Sequence, residues 1–110
     1  MIAHRGASAF EPENTLRAVR RALDLGAGMV EVDVRESRDG YIVVIHDGTV
    51  DRTTERGCVK DMNLRELRIL DAGLGERIPT LEEVANTVKG KAKLVVEIKV
   101  QGIEGRWFVW

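Results

Sequence analysis

The sequence holds a single cysteine, Cys58, so it closes no internal disulfide and offers no thiolate cluster to a metal. Its neighbours Gly57 and Val59 mark it as an ordinary loop or strand-edge thiol. No apolar run approaches the roughly 20 residues that a bilayer-spanning helix needs. His4 and Arg5 interrupt the N-terminus before the apolar core of a leader peptide can form, which reads as a soluble, cytoplasmic chain. Neither sign of charge dominates, with 17 Lys and Arg against 18 Asp and Glu. That balance excludes the basic footprint of a nucleic-acid binder and the polybasic run that anionic lipid attracts. A small anion held by a local site stays open. No Gly-rich dinucleotide loop follows the first strand, and there is no internal repeat or low-complexity tract.

What is present fits one domain: 110 residues, 44% of them apolar. A short strand over residues 1–4 is followed by a helix with Asn14 as N-cap. Leu16, Val19, Ala22 and Leu23 form its apolar stripe, and Gly26 suits the left-handed stop. Strand two runs over 28–34. A turn at Ser37-Arg38-Asp39-Gly40 leads into strand three, 41–46, and residues 48–62 read as irregular and polar. Asn63 with Glu66, and Thr80 with Glu83, are capping-box pairs that open a short helix and a longer one ended by Gly90. Leu81, Val84, Ala85 and Val88 belong on the buried side of the longer helix. Strand four spans 94–99. Alternating strands and helices with Val- and Ile-rich strands predict a parallel sheet covered by helices.

Charged residues stand at the ends of these otherwise apolar strands. His4 and Arg5 close the first, Glu31 and Asp33 lie in the second, His46 and Asp47 close the third, and Glu97 and Lys99 lie in the fourth. Side chains alternate faces along a strand, so Glu31 and Asp33 share one face, as do Glu97 and Lys99. Val30, Val32, Val34, Val96 and Ile98 face the other way, toward the helices. Charges buried among apolar strands are costly unless paired or bound to a cation.

Glu31, Asp33 and Glu97 make an all-oxygen set suited to a hard cation, Mg²⁺ or Ca²⁺. The competing account pairs these acids with Arg5, Arg35 and Lys99. His4 and His46 are the only histidines. With an ordinary pKa of about 6.5, one can accept a proton while the other donates one; zinc binding by both is the weaker alternative, given the surplus of oxygen ligands. Arg5 and Lys99 supply positive charge for a phosphate, although Lys99 can also pair with Glu97 or Glu31. Glu13 reads equally as a favourable charge before the first helix or as a site residue. Asn14 reads as a cap first and a site-organising residue second.

Taken together, His4-Arg5-Gly6, Pro12-Glu13-Asn14-Thr15, Glu31-Val32-Asp33, His46-Asp47, Arg52-Thr53-Thr54, Ile78-Pro79-Thr80-Leu81-Glu82-Glu83 and Glu97-Ile98-Lys99 resemble the N-terminal half of the glycerophosphodiester phosphodiesterase family. The resemblance implies an α/β fold of TIM-barrel (β/α)8 type. Residues 1–110 would cover about the first four strands as a partial barrel, with a short family insertion at 48–77. It also implies metal-dependent hydrolysis of glycerophosphodiesters to glycerol 3-phosphate and an alcohol. Glu31, Asp33 and Glu97 would bind Mg²⁺ or Ca²⁺, His4 and His46 would act as acid and base, and Arg5 and Lys99 would hold the phosphate. In the family reaction the glycerol 2-hydroxyl attacks phosphorus, and water opens the resulting cyclic phosphate.

Beyond Lys99, residues 101–110 no longer clearly follow the family pattern. With only half a barrel, strands one and four are expected to have open edges, which favours a homo-oligomer or another association that completes the barrel. Two alternatives accompany the enzyme reading: an inactive fragment that keeps metal and phosphate binding, and a related phospholipase-type phosphodiesterase.

Overall fold

The computed structural model describes residues 2–4, 14–45, 59–70, 72, 74–99 and 106–109, with the backbone alone at 2–4 and 106–108. In chain order the elements are β1 (Ile2–His4), α1 (Leu16–Asp24), β2 (Met29–Glu36), β3 (Ile42–Val44), α2 (Leu64–Ile69), α3 (Leu81–Val88), β4 (Lys93–Ile98) and β5 (Arg106–Val109). A single 3-10 turn, Val59–Asp61, precedes α2. Among the described residues no helix is long and apolar enough to cross a membrane.

Three parallel strands form the spine, with β2 between β1 and β4. Their outward valines make the core. Val30, Val32, Val34, Leu94, Val96 and Ile98 pack with Val19 and Ala22 of α1 and Val84 and Val88 of α3. The period-2 pattern thus buries one face of the sheet beneath α1 and α3, as the sequence requires. Leu16, Leu23, Leu81 and Ala85 border that core, partly buried.

Local chemistry fixes the helix ends. Both expected capping boxes form: Asn63 and Glu66 exchange side-chain-to-backbone hydrogen bonds at the start of α2, and Thr80 and Glu83 do so at α3. Arg68 of α2 donates to both carboxylate oxygens of Glu83 and to the Ile78 carbonyl, tying the two helices together. Beneath α2 a second small core gathers Val43, Val59, Leu67, Leu70 and Ile78.

Three expectations change. The N-cap of α1 is Thr15, whose hydroxyl accepts from the Ala18 N–H at 3.1 Å; Asn14 stands one residue outside, with φ 57°. β3 is not a parallel barrel strand. It returns antiparallel on the C-terminal half of β2, pairing Val34 with Val44 and Glu36 with Ile42. The Ser37–Gly40 turn requires this, since a connection so short joins only antiparallel neighbours. Gly40 takes φ 87° there, and the Ser37 N–H donates to the Tyr41 carbonyl at 2.8 Å.

Nor is the outer edge of β4 open. β5 lies antiparallel along it, setting Glu97 opposite Trp107 and Val95 opposite Val109. The hydrogen-bonding groups that β4 turns away from β2 are thereby used within the chain.

Candidate active site

The face opposite the core carries the charges. Asp33 of β2 is the register partner of Glu97 of β4, and Glu31 is the register partner of His4 on β1. Neighbouring strands lie about 4.8 Å apart and residues two apart on one strand lie about 6.6 Å apart. The backbone therefore brings the three carboxylates and the strand position of His4 within about a nanometre. Asp33 is buried at 2% exposure, whereas Glu31 and Glu97 are half-buried. Glu97 accepts from Lys99 Nζ at 3.1 Å, so the cation expected at the site holds one of its expected ligands. Arg5 and His46, along with Glu13 and Asp47, lie outside the described residues, and His4 is placed by its backbone alone.

The chemistry of this donor set fits a hard divalent cation. Three carboxylates on one sheet face, two in direct cross-strand register, offer only oxygen. Among the described residues no three His, Cys, Asp or Glu side chains close around one point as they stand, with Glu97 engaged by Lys99.

Two further contacts lie about the site. Arg35, next on the inner face of β2, donates from Nη1 to the Lys99 carbonyl at 3.4 Å, while the Lys99 N–H donates to the Val34 carbonyl at 2.9 Å. Lys99 is thus pinned at its backbone just past the end of β4. The other contact is Asn14, which is 4% exposed. Its Oδ1 accepts from the Asp33 N–H and its Nδ2 donates to Asp33 Oδ2, each at 3.4 Å. The cap reading is therefore overturned: the cap belongs to Thr15, and the Asn14 amide contacts Asp33 instead. One signal was available, since two adjacent cap-type residues cannot both occupy one cap.

His46 follows Ile45, whose N–H donates to the Asp33 carbonyl at 3.0 Å. The chain therefore leaves β3 beside the same aspartate that Asn14 contacts.

Comparison with known proteins identifies the family. Residues 4–106 match the model of the glycerophosphoryl diester phosphodiesterase family. A glycerophosphodiester phosphodiesterase of Caldanaerobacter subterraneus subsp. tengcongensis is 53% identical over 108 residues, covering 90% of this chain and 44% of that protein. The crystal structure of a glycerophosphodiester phosphodiesterase from Agrobacterium tumefaciens superposes with TM-score 0.84 at 43% identity, over 88% of this chain and 45% of that one. An Oleispira antarctica phosphodiesterase, solved in complex with the product sn-glycerol-3-phosphate, gives TM-score 0.86 at 39% identity, over 90% and 44% of the two chains. This chain thus spans less than half the length of these relatives, and the partial TIM barrel expected from its sequence is borne out. By sequence match and fold alike, it belongs to the glycerophosphoryl diester phosphodiesterase family.

Proposed function

We propose that this chain provides the cation- and phosphate-binding part of a site that hydrolyses glycerophosphodiesters to glycerol 3-phosphate and an alcohol. The observation that carries the reading is the register, with Asp33 beside Glu97 on the face turned from the core and the strand position of His4 paired with Glu31. Glu31, Asp33 and Glu97 would hold Mg²⁺ or Ca²⁺. A bound divalent ion would supply positive charge against a phosphodiester oxygen and against the charge that grows in its transition state.

The chain's own residues divide the rest of the work. Lys99, whose ammonium lies 3.1 Å from Glu97 Oε2, places a donor for a phosphate oxygen, and Arg5 adds a two-pronged one. One of His4 and His46 takes the proton of the glycerol 2-hydroxyl as its oxygen bonds to phosphorus. The other gives a proton to the departing alcohol oxygen as its bond to phosphorus breaks. The product of that step is a cyclic phosphate. Water then opens the ring with the proton roles reversed, leaving glycerol 3-phosphate. Association that completes the barrel, with a second copy or with further chain, is part of this proposal.

A second reading has its own observation. Because the chain spans less than half the length of its relatives, it could bind cation and phosphate without turnover. Release of glycerol 3-phosphate from glycerophosphocholine separates the two. The enzyme reading expects release that requires added Mg²⁺ or Ca²⁺ and disappears in His4→Ala. Cation binding without release, under conditions that complete the barrel, would leave only the binding reading.

A further inference from the structure

We infer that Asn14 is the positioning residue for Asp33, fixing both the backbone and the carboxylate of that ligand through one side-chain amide. The inference rests on the cation site proposed above. It begins with a gap in a ladder. Among the described residues, pairing with β1 on one edge of β2 ends at Glu31 and pairing with β3 begins at Val34. The Asp33 N–H and carbonyl fall between them. Ile45 N–H serves the carbonyl, and Asn14 Oδ1 serves the N–H. The amide of Asn14 therefore stands where a neighbouring strand would have offered a carbonyl.

Its other half does what a strand cannot. Nδ2 of the same amide reaches Asp33 Oδ2, so one planar group holds the residue at two points. An amide can do this because it presents an acceptor and a donor on one rigid plane. Backbone geometry aims it: Asn14 adopts φ 57°, a left-handed conformation that Asn tolerates far better than most side chains. Thr15 frees it for the task by taking the cap. Outside the site, Glu76 Oε1 accepts from the Arg17 N–H at 3.0 Å and steadies the same helix start. Asn14 and Asp33 are both almost fully buried, so neither hydrogen bond is readily replaced by bulk water.

The alternative is that Asn14 only completes the ladder. The two accounts part on cation affinity. In Asn14→Gly the left-handed backbone costs nothing but the amide is gone. Isothermal titration of the full chain with Mg²⁺ and, separately, with Ca²⁺ is expected to show affinity about tenfold weaker in that variant, the lower end of what loss of a ligand's supporting contact brings. Thr15→Ala is the control: it removes the helix cap, lowers the melting temperature and leaves cation affinity unchanged.

Equal affinity in wild type and Asn14→Gly overturns the inference while leaving the cation site standing. Absence of titratable binding in the wild type overturns both. Should the glycine variant not fold, Asn14→Ser carries the test, because its hydroxyl, one bond shorter than the amide, falls out of reach of contacts that are already 3.4 Å long. A several-fold loss is then expected, and wild-type affinity refutes the assignment.

Discussion

Replacing Lys99 with Met should move cation binding and catalysis in opposite directions. The ammonium sits 3.1 Å from Glu97 Oε2, and both side chains are about a quarter exposed, at 22% and 23%. A divalent ion bound through that oxygen at about 2.3 Å would stand no farther than about 5.4 Å from Nζ. Coulomb repulsion between a double and a single positive charge at that separation is about 1.5 kcal/mol at the dielectric of water and about 6 kcal/mol at an effective constant of 20. Partial exposure and salt favour the lower figure. Loss of the lysine also leaves Glu97 without that partner, which a cation then replaces. The expected result is tighter Mg²⁺ or Ca²⁺ binding by about 1–2 kcal/mol, or roughly 5- to 30-fold.

Catalysis should suffer from the same substitution. A charged hydrogen bond to phosphate contributes about 1.5–3 kcal/mol, so kcat/KM for glycerophosphocholine should fall about 10- to 150-fold. Titration calorimetry reads the first effect, and a coupled assay for glycerol 3-phosphate reads the second. Unchanged or weaker cation binding in Lys99→Met would refute the argument, because it would remove Glu97 from the ion's surroundings. Parallel loss of both properties would indicate general damage rather than a shared carboxylate.

Two further outcomes are expected. Burial raises the Glu83 carboxyl, but hydrogen bonds from Arg68 and Thr80 outweigh it and hold the group below its ordinary value of 4.5. A depressed folded pKa adds stability that is complete above the unfolded value and is lost as pH falls through the folded one. Because the Glu83 side chain is 36% exposed, solvent screening limits the effect to no more than about 1 kcal/mol. Melting temperature should drop below about pH 4.5, and Glu83→Gln, which keeps the capping geometry, should flatten part of that drop. The remainder includes Asp39, lowered chiefly by the Ser37 hydroxyl. A wild-type acid profile in Glu83→Gln would contradict this account.

The second outcome concerns β1, which among the described residues has β2 as its strand neighbour on one side. An open parallel edge invites pairing, so sedimentation velocity at micromolar concentration should show a species larger than the monomer, and a strictly monomeric chain would remove the association from the proposal.

The features visible in advance were those set by short-range periodicity or by a few consecutive residues. Alternation along Val30–Val34 and Val96–Ile98 determines which side of each strand can face a helix, whatever the rest of the chain does. The capping boxes at Asn63 and Thr80 close within four residues and need no tertiary partner. Strand direction is a different quantity. β3 has the composition of a parallel core strand, yet the four-residue turn before it leaves no length for a crossover. That length rule was available from the spacing alone, and it outranks composition. β5 had no comparable signal: Arg106–Val109 becomes a strand because β4 offers it an edge, and edge availability depends on elements remote in sequence.

Asn14 shows why a site can be half legible. Three acids on matching strand phases announce a candidate cation site through alternation and charge cost. Their support arises from where β1 stops and where β3 starts, which is a relation among three strands rather than a pattern within one. A buried N–H left in such a gap costs about 1–3 kcal/mol, so the fold must recruit an acceptor from somewhere. Asn14 and Thr15 compete for one cap, and helix geometry awards it to the residue with extended backbone, Thr15 at φ −101° and ψ 159°. The residue left over is polar, buried and held in a left-handed turn that points its amide away from the helix it precedes. A redundant cap residue beside a strand bearing a candidate ligand is thus evidence for a long-range contact, because a second cap that caps nothing must meet its hydrogen-bonding requirement elsewhere.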